Sequence, residues 1–281
     1  MKKIKKSGAV YARTVFMNIV PILFSAAAVL PVIWLLYSTL KTSVEFESSI
    51  VALPEAFNLV NYKYVFQTTP IGLYLWNTLR NTAIILLLVV FFGFINGYFL
   101  SRLRFKLRTP LFGFYVSNFF IPIHALLVPT YILFSFFGFT NKWYSTILPV
   151  ACIQLPTTIF LVTSYVSTIP QELEEAAAID GSGFSRTLFS IILPIVAPVL
   201  ITSGIIAFFH CWNEFSYSLI MYSNEKLYTI SLALTRFKGE NRIDYPKMMT
   251  AMVITMTPAL LIYIAFSKQI LKGVVAGAIK G

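Results

Sequence analysis

Six stretches of this 281-residue chain run for 20 residues or more without a lysine, arginine, aspartate or glutamate. They are 14–40 (27 residues), 81–101 (21), 109–141 (33), 143–171 (29), 187–213 (27) and 248–267 (20). A helix crossing the hydrocarbon core of a bilayer needs roughly 20 mostly apolar residues. The next longest gap, 64–79, has 16 residues and carries Gln67, Thr68, Thr69 and Pro70. Six gaps therefore read as six transmembrane helices. Lipid offers no partner to an open strand edge, so helices and closed barrels are the only spanning structures. Unbroken apolar runs such as 84–92 lack the alternation of a barrel strand. Composition agrees: 57% of the residues are apolar and 12% are charged, against roughly 25% charged in soluble domains. An ordinary soluble domain and a disordered chain are both excluded.

The basic residues then give an orientation, because cytoplasmic loops carry the excess of Lys and Arg. With the N-terminus inside, the inner segments hold Lys2, Lys3, Lys5, Lys6, Arg13, Arg102, Arg104, Lys106, Arg108, Arg186, Lys268, Lys272 and Lys280, which is 13 of 22. Acids divide 4 inside and 7 outside, counting Glu214 as outer, so the net charge of +11 resolves into +9 inside and +2 outside. A pI near 9.6 is thus largely a topology signal rather than a nucleic-acid signal. The outer loop 215–247 holds five basic residues and fits this orientation least. Lys2 to Lys6 followed by Ser25-Ala26-Ala27-Ala28 has the outline of a cleavable signal peptide. The apolar run continues through Tyr37, a length that suits an uncleaved first helix.

Enzymatic motifs are missing. Cys152, Cys211, His124 and His210 are single residues inside predicted spans, with no metal-ligand spacing. There is no H-E-x-x-H, no G-x-S-x-G and no G-x-x-x-x-G-K-[ST] phosphate loop, so the chain is expected to bind no cofactor and catalyse no reaction.

One inner loop, 167–194, breaks the charge rule. It places Glu172, Glu174, Glu175 and Asp180 on the positive side. Pro170 suits a first helical position, and three Glu complement the helix dipole. Ala176, Ala177 and Ala178 favour helix, and Gly181 and Gly183 end it. Asp180 or Ser182 is then available to cap the short piece that follows, and Pro194 to start the fifth span. Surface helices that rest on anionic lipid carry Lys and Arg instead, so an acidic, small-residue helix suits docking onto another protein.

Glu175-Ala176-Ala177, three residues, Gly181, nine residues, then Ile191-x-Leu193-Pro194 resembles the EAA loop of ABC importer permeases. Trp212-Asn213-Glu214-Phe215 is similar to the WNEF element of the maltose-type carbohydrate permeases, and the tail 273–281 resembles their C-terminus. Ser182 departs mildly from the pattern, since Ala is frequent there. The resemblance implies an all-α integral membrane protein with six transmembrane helices and a short cytoplasmic coupling helix between the fourth and fifth. It implies a cytoplasmic tail (1–13), a first helix with its outer loop (14–77), a core permease domain of five helices (78–268) and a second tail (269–281). Glu174, Glu175, Ala176, Ala177, Asp180, Gly181 and Ser182 would couple the chain to an ATPase. ATP and Mg would sit on two separate ATPase subunits. A second homologous permease subunit, an extracellular solute-binding protein and a sugar, most simply an oligosaccharide, complete the expected partners. The expected location is the plasma membrane of a prokaryote, with both termini cytoplasmic.

A sugar pathway needs amides, hydroxyls and aromatic faces at membrane depth. Asn118, His124, Gln154, Trp212, Asn213 and Glu214 are the candidates, with Asn96, Thr157, Thr158 and His210 beside them. A helix–helix hydrogen bond explains each of them singly as well. Two other functions fit the same spans: an ABC permease for a different solute, and a secondary transporter needing no ATPase. The latter leaves the 167–194 loop unexplained.

Overall fold

A computed structural model describes residues 8–237 and 244–278, with side chains described for 16–237 and 244–268. Lys2, Lys3, Lys5, Lys6, Lys280 and the last residues of the tail lie outside the described residues, as do the side chains of Arg13 and Lys272. Among the described residues the fold is helical throughout, with no strand. In chain order the helices are α1 (Gly8–Ser38), α2 (Ser43–Ser48), α3 (Val60–Thr68), α4 (Ile71–Arg102), α5 (Arg108–Ser117), α6 (Ile123–Phe136), α7 (Ile147–Val166) and α8 (Glu172–Ile179). They continue with α9 (Phe184–Trp212), α10 (Ser216–Met221), α11 (Ile230–Ala233) and α12 (Tyr245–Ala278).

Five of them, α1, α4, α7, α9 and α12, are long and apolar enough to cross a membrane. The third uncharged stretch is not one straight span. It divides into a helical piece 108–120 and α6, bent by 108°. Pro122 is the cause: the residue before a proline is pushed out of the α region, and Ile121 is extended (φ −95°, ψ 116°). Counted as one bent span, the pair brings the total to six. A second departure concerns Pro194, which does not start the fifth span. Helix α9 begins ten residues earlier and passes through a π-helical stretch, Thr187–Ile192, just before that proline. Pro194 supplies no N–H, so the hydrogen-bond ladder shifts register there.

The chain divides into two compact units. The first comprises Met1–Thr69 and Leu234–Ile254. In it, the side chains of α1 from Phe16 to Ile33 are almost all exposed, as suits a span whose surface faces lipid. Helix α2 opens with a capping box: the Glu45 N–H donates to Thr42 Oγ1, and the Thr42 N–H donates to Glu45 at 2.6 Å. The Thr42 N–H and then the Thr42 hydroxyl hold the Glu45 carboxyl below its ordinary pKa. Lys41, which closes the first uncharged stretch, is folded inward. Its Nζ donates to the Ser49 and Ile50 carbonyls at 3.0 and 3.3 Å and lies over the Tyr37 and Phe46 rings.

The second unit, Pro70–Ala233 and Thr255–Gly281, holds the candidate sites. Its centre is the contact of α4 with α7. A β-carbon at Gly93 would lie 2.3 Å from Thr158 Cγ2, and one at Gly97 2.6 Å from Val162. This is the close backbone approach that a small-xxx-small pair gives membrane helices, here used within one chain. The Thr163 hydroxyl donates to the Gly97 carbonyl across the contact at 3.2 Å. Apolar clusters flank it on both sides. Val89, Val150 and Met221 belong to one, and Tyr98, Val166, Ile192 and Val196 to the other.

Candidate functional site

The loop helix is real and local chemistry builds it. Gln171 is the N-cap of α8, with Pro170 just outside, and Glu172, Glu174 and Glu175 fill the first turn. At the other end the Ser182 N–H donates to the Ala177 carbonyl (2.8 Å) and the Gly181 N–H to Ala178 (3.0 Å). These paired bonds are the Schellman ending. Gly181 has φ +79°, the left-handed conformation the ending demands. Asp180 is the C-cap of α8. The next segment is capped by Gly183 with no side-chain bond, so neither Asp180 nor Ser182 caps it. Ser182 instead accepts from the Thr187 hydroxyl at 3.0 Å.

The neighbouring glutamates face opposite ways. Glu174 turns inward, where Oε2 accepts from the Tyr98 hydroxyl and Oε1 from Arg102 Nε, both at 2.6 Å. Arg102 Nη2 also donates to the Ile169 carbonyl at 2.8 Å. Glu175 and Ala176 are exposed, as are Glu172 and Asp180, whereas Ala177 is buried. Ala176 faces outward, and Ala177 packs inward. Leu173 and Ile179 add apolar surface to the outer face, Ile179 being 87% exposed. In the sequence Arg102 stands out only as a topology charge, and Tyr98 does not stand out at all. The available signal was the acidic loop facing the basic segment 102–108 on the same side.

A cavity of about 550 Å³ forms where α7 and α9 meet the start of α6 and α10. Val150, Ile153 and Gln154 come from α7, and Ile206, Phe209 and His210 from α9. Ile123, Asn213, Glu214, Phe215 and Ser216 complete the wall. The spacings 150/153/154 and 206/209/210/213 are single helical faces. The Gln154 and His210 side chains both line the cavity, where they can meet a solute. Asn213 Nδ2 donates to the Phe209 carbonyl of its own helix.

Three sequence candidates fall elsewhere. Trp212 is out of phase with the cavity face of α9. It is 3% exposed, its Nε1 donates to the Thr255 carbonyl at 3.2 Å, and its ring lies 5.5 Å from Phe208. Asn118 sits behind the wall and donates to the Ile153 carbonyl. His124 is exposed beside it, with Nε2 3.5 Å from Ser216 Oγ. Glu214 lines the cavity while capping α10: it accepts from the Tyr217 and Ser218 N–H groups and from the Ser218 hydroxyl. Asn96 bonds to Phe92 of its own helix, and Thr158 is buried against Gly93. Among the described residues no three His, Cys, Asp or Glu side chains form a metal-sized cluster.

Apolar spans, one of them broken, surround a cavity that carries Gln154, His210 and Glu214, and an acidic helix stands on the loop between two spans, an arrangement that suits moving a solute across a membrane. Residues 64–275 match the family described as binding-protein-dependent transport system inner membrane component, and the chain belongs to that family. The sulfoquinovosyl glycerol transport system permease protein SmoH of Agrobacterium fabrum is 31% identical over 268 residues, covering 93% of this chain and 94% of that protein. The melibiose/raffinose/stachyose import permease protein MelC of Bacillus subtilis is 30% identical over 274 residues, covering 96% and 99%. The fold matches a chain of a bacterial ABC transporter involved in the import of the acidic polysaccharide alginate. The TM-score is 0.82, over 95% of this chain and 99% of that chain, at 17% identity.

Proposed function

We propose that this chain is one permease subunit of an ATP-driven importer that moves an oligosaccharide inward by alternating access. The observation that carries the reading is α8. It is a fixed helix on the loop between two spans, held inward by Glu174 and presenting Glu175, Ala176, Asp180 and Ile179 outward. Such a face suits a cleft on a separate ATPase, which would supply the ATP and Mg. A second permease subunit would complete the pathway, and an external solute-binding protein would deliver the sugar. The plasma membrane of a prokaryote, with both termini cytoplasmic, fits the charge distribution.

The cavity wall supports a polyhydroxylated solute. Gln154 and His210 offer hydrogen bonds, Phe209 and Phe215 offer ring faces, and no Lys or Arg is among its lining residues. Relatives named for sugar import point the same way. The test is uptake by the Gln154→Leu and His210→Leu variants, read as the half-saturating sugar concentration with binding protein in excess. Each is expected to raise it by about three- to tenfold, the worth of a neutral hydrogen bond. Unchanged saturation in both would remove this cavity from the pathway.

A further inference from the structure

We propose that Tyr98, Glu174 and Arg102 form a positioning device that makes α8 and α4 move as one body. The proposal rests on the reading that α8 receives the thrust of the ATPase. Glu174 is bound twice, by the Tyr98 hydroxyl at 2.6 Å and by Arg102 Nε at 2.6 Å. Arg102 in turn holds the Ile169 carbonyl just ahead of α8. The Arg102 side chain is 8% exposed and that of Glu174 20%, so water screens the pair poorly. Charge-assisted bonds of this geometry are roughly twice as strong as neutral ones. Removing one partner leaves an uncompensated charge in a largely buried place.

The contacts continue without slack from there to the cavity. Gly97 adjoins Tyr98 in α4 and lies directly on Val162 of α7. Gly93, one turn further, lies on Thr158. Thr158 is one turn from Gln154 on the cavity wall. A displacement of α8 must therefore carry α4, and α7 with it, or break the Glu174 cluster. The adjacent glutamates divide the work: Glu175 faces outward to be pushed, and Glu174 faces inward to transmit.

The experiment uses the assembled transporter with its partner permease, ATPases and binding protein in proteoliposomes. Sugar uptake and ATP hydrolysis are measured on the same sample. Glu174→Gln and Arg102→Gln are expected to lower sugar moved per ATP by about tenfold, the worth of a charged hydrogen bond, at unchanged assembled amount. The reversed pair Arg102→Glu with Glu174→Arg is expected to restore it to within about threefold. A merely structural role would lower the assembled amount and leave the ratio alone. An unchanged ratio in both single variants overturns the proposal.

Should the single variants fail to assemble, a covalent link decides. Cysteines at 102 and 174, in a Cys152→Ser and Cys211→Ser background, are joined by a bifunctional thiol reagent. Replacing the ion pair leaves this variant poorly coupled before linking, and a rise in sugar moved per ATP on linking is the expected result. Uptake lost on linking and regained on reduction means that α8 slides against α4, and refutes the proposal. Uptake independent of ATP in the unaltered transporter would instead overturn the underlying reading, whatever the linked variant does.

Discussion

Gly181 combines φ +79° with open space where a β-carbon would point, so its replacement probes the backbone alone. Gly181→Ala is expected to cost about 1–2 kcal/mol at the end of α8. The measurement is hydrogen exchange of the Ser182 amide, bonded to Ala177, which should speed up about tenfold with no loss of protein from the membrane. Glu175→Lys places a cation on the exposed acidic face. Uptake should fall to background while the protein stays in the membrane fraction, and normal uptake would sink the docking role. Both residues were legible in the sequence because their pattern is local. The partners of Glu174 were not, since Tyr98 and Arg102 lie 76 and 72 positions away. Trp212 and Asn213 are adjacent in the sequence, yet one locks to Thr255 and the other lines the cavity. Only the phase of α9 separates them, and composition carries no phase.

The uncharged stretches located the spans because apolar length is what a bilayer selects. They could not show bends, which depend on single backbone positions. Pro122 was visible as a helix-breaker, but the 108° turn at Ile121 needed the structure. Charge also misled at helix ends: α4 begins at Ile71 and carries Arg80 within it, where the guanidinium lies over the Trp143 ring and bonds to Asn81. The packing of α4 on α7 yields a prediction at this scale. Gly93→Ala puts a methyl 2.3 Å from Thr158 Cγ2, and such overpacking costs about 1–3 kcal/mol. Thermal unfolding in detergent should show the loss. Adding Thr158→Ser removes the methyl but leaves Thr158 Cβ 2.7 Å from the new β-carbon, so it should recover part of the loss. Additive losses in the double variant would mean that this contact does not limit stability.

Across the whole molecule, charge carries two messages. Its scarcity places the chain in the membrane, and its asymmetry sets the orientation we propose. A cysteine at Arg104 should be shielded from a membrane-impermeant thiol reagent applied outside intact cells, and one at Lys226 should be labelled. The opposite pattern would invert the topology and move α8 to the wrong face for an ATPase. The family and the helical fold follow from residues spread over most of the chain. Coupling to ATP rests on α8. Uptake of labelled oligosaccharide into inside-out-free, right-side-out vesicles loaded with ATP, with and without the binding protein outside, measures that coupling directly. Accumulation is expected only when ATP and the binding protein are both present. Accumulation driven by an ion gradient alone, without either, would contradict it.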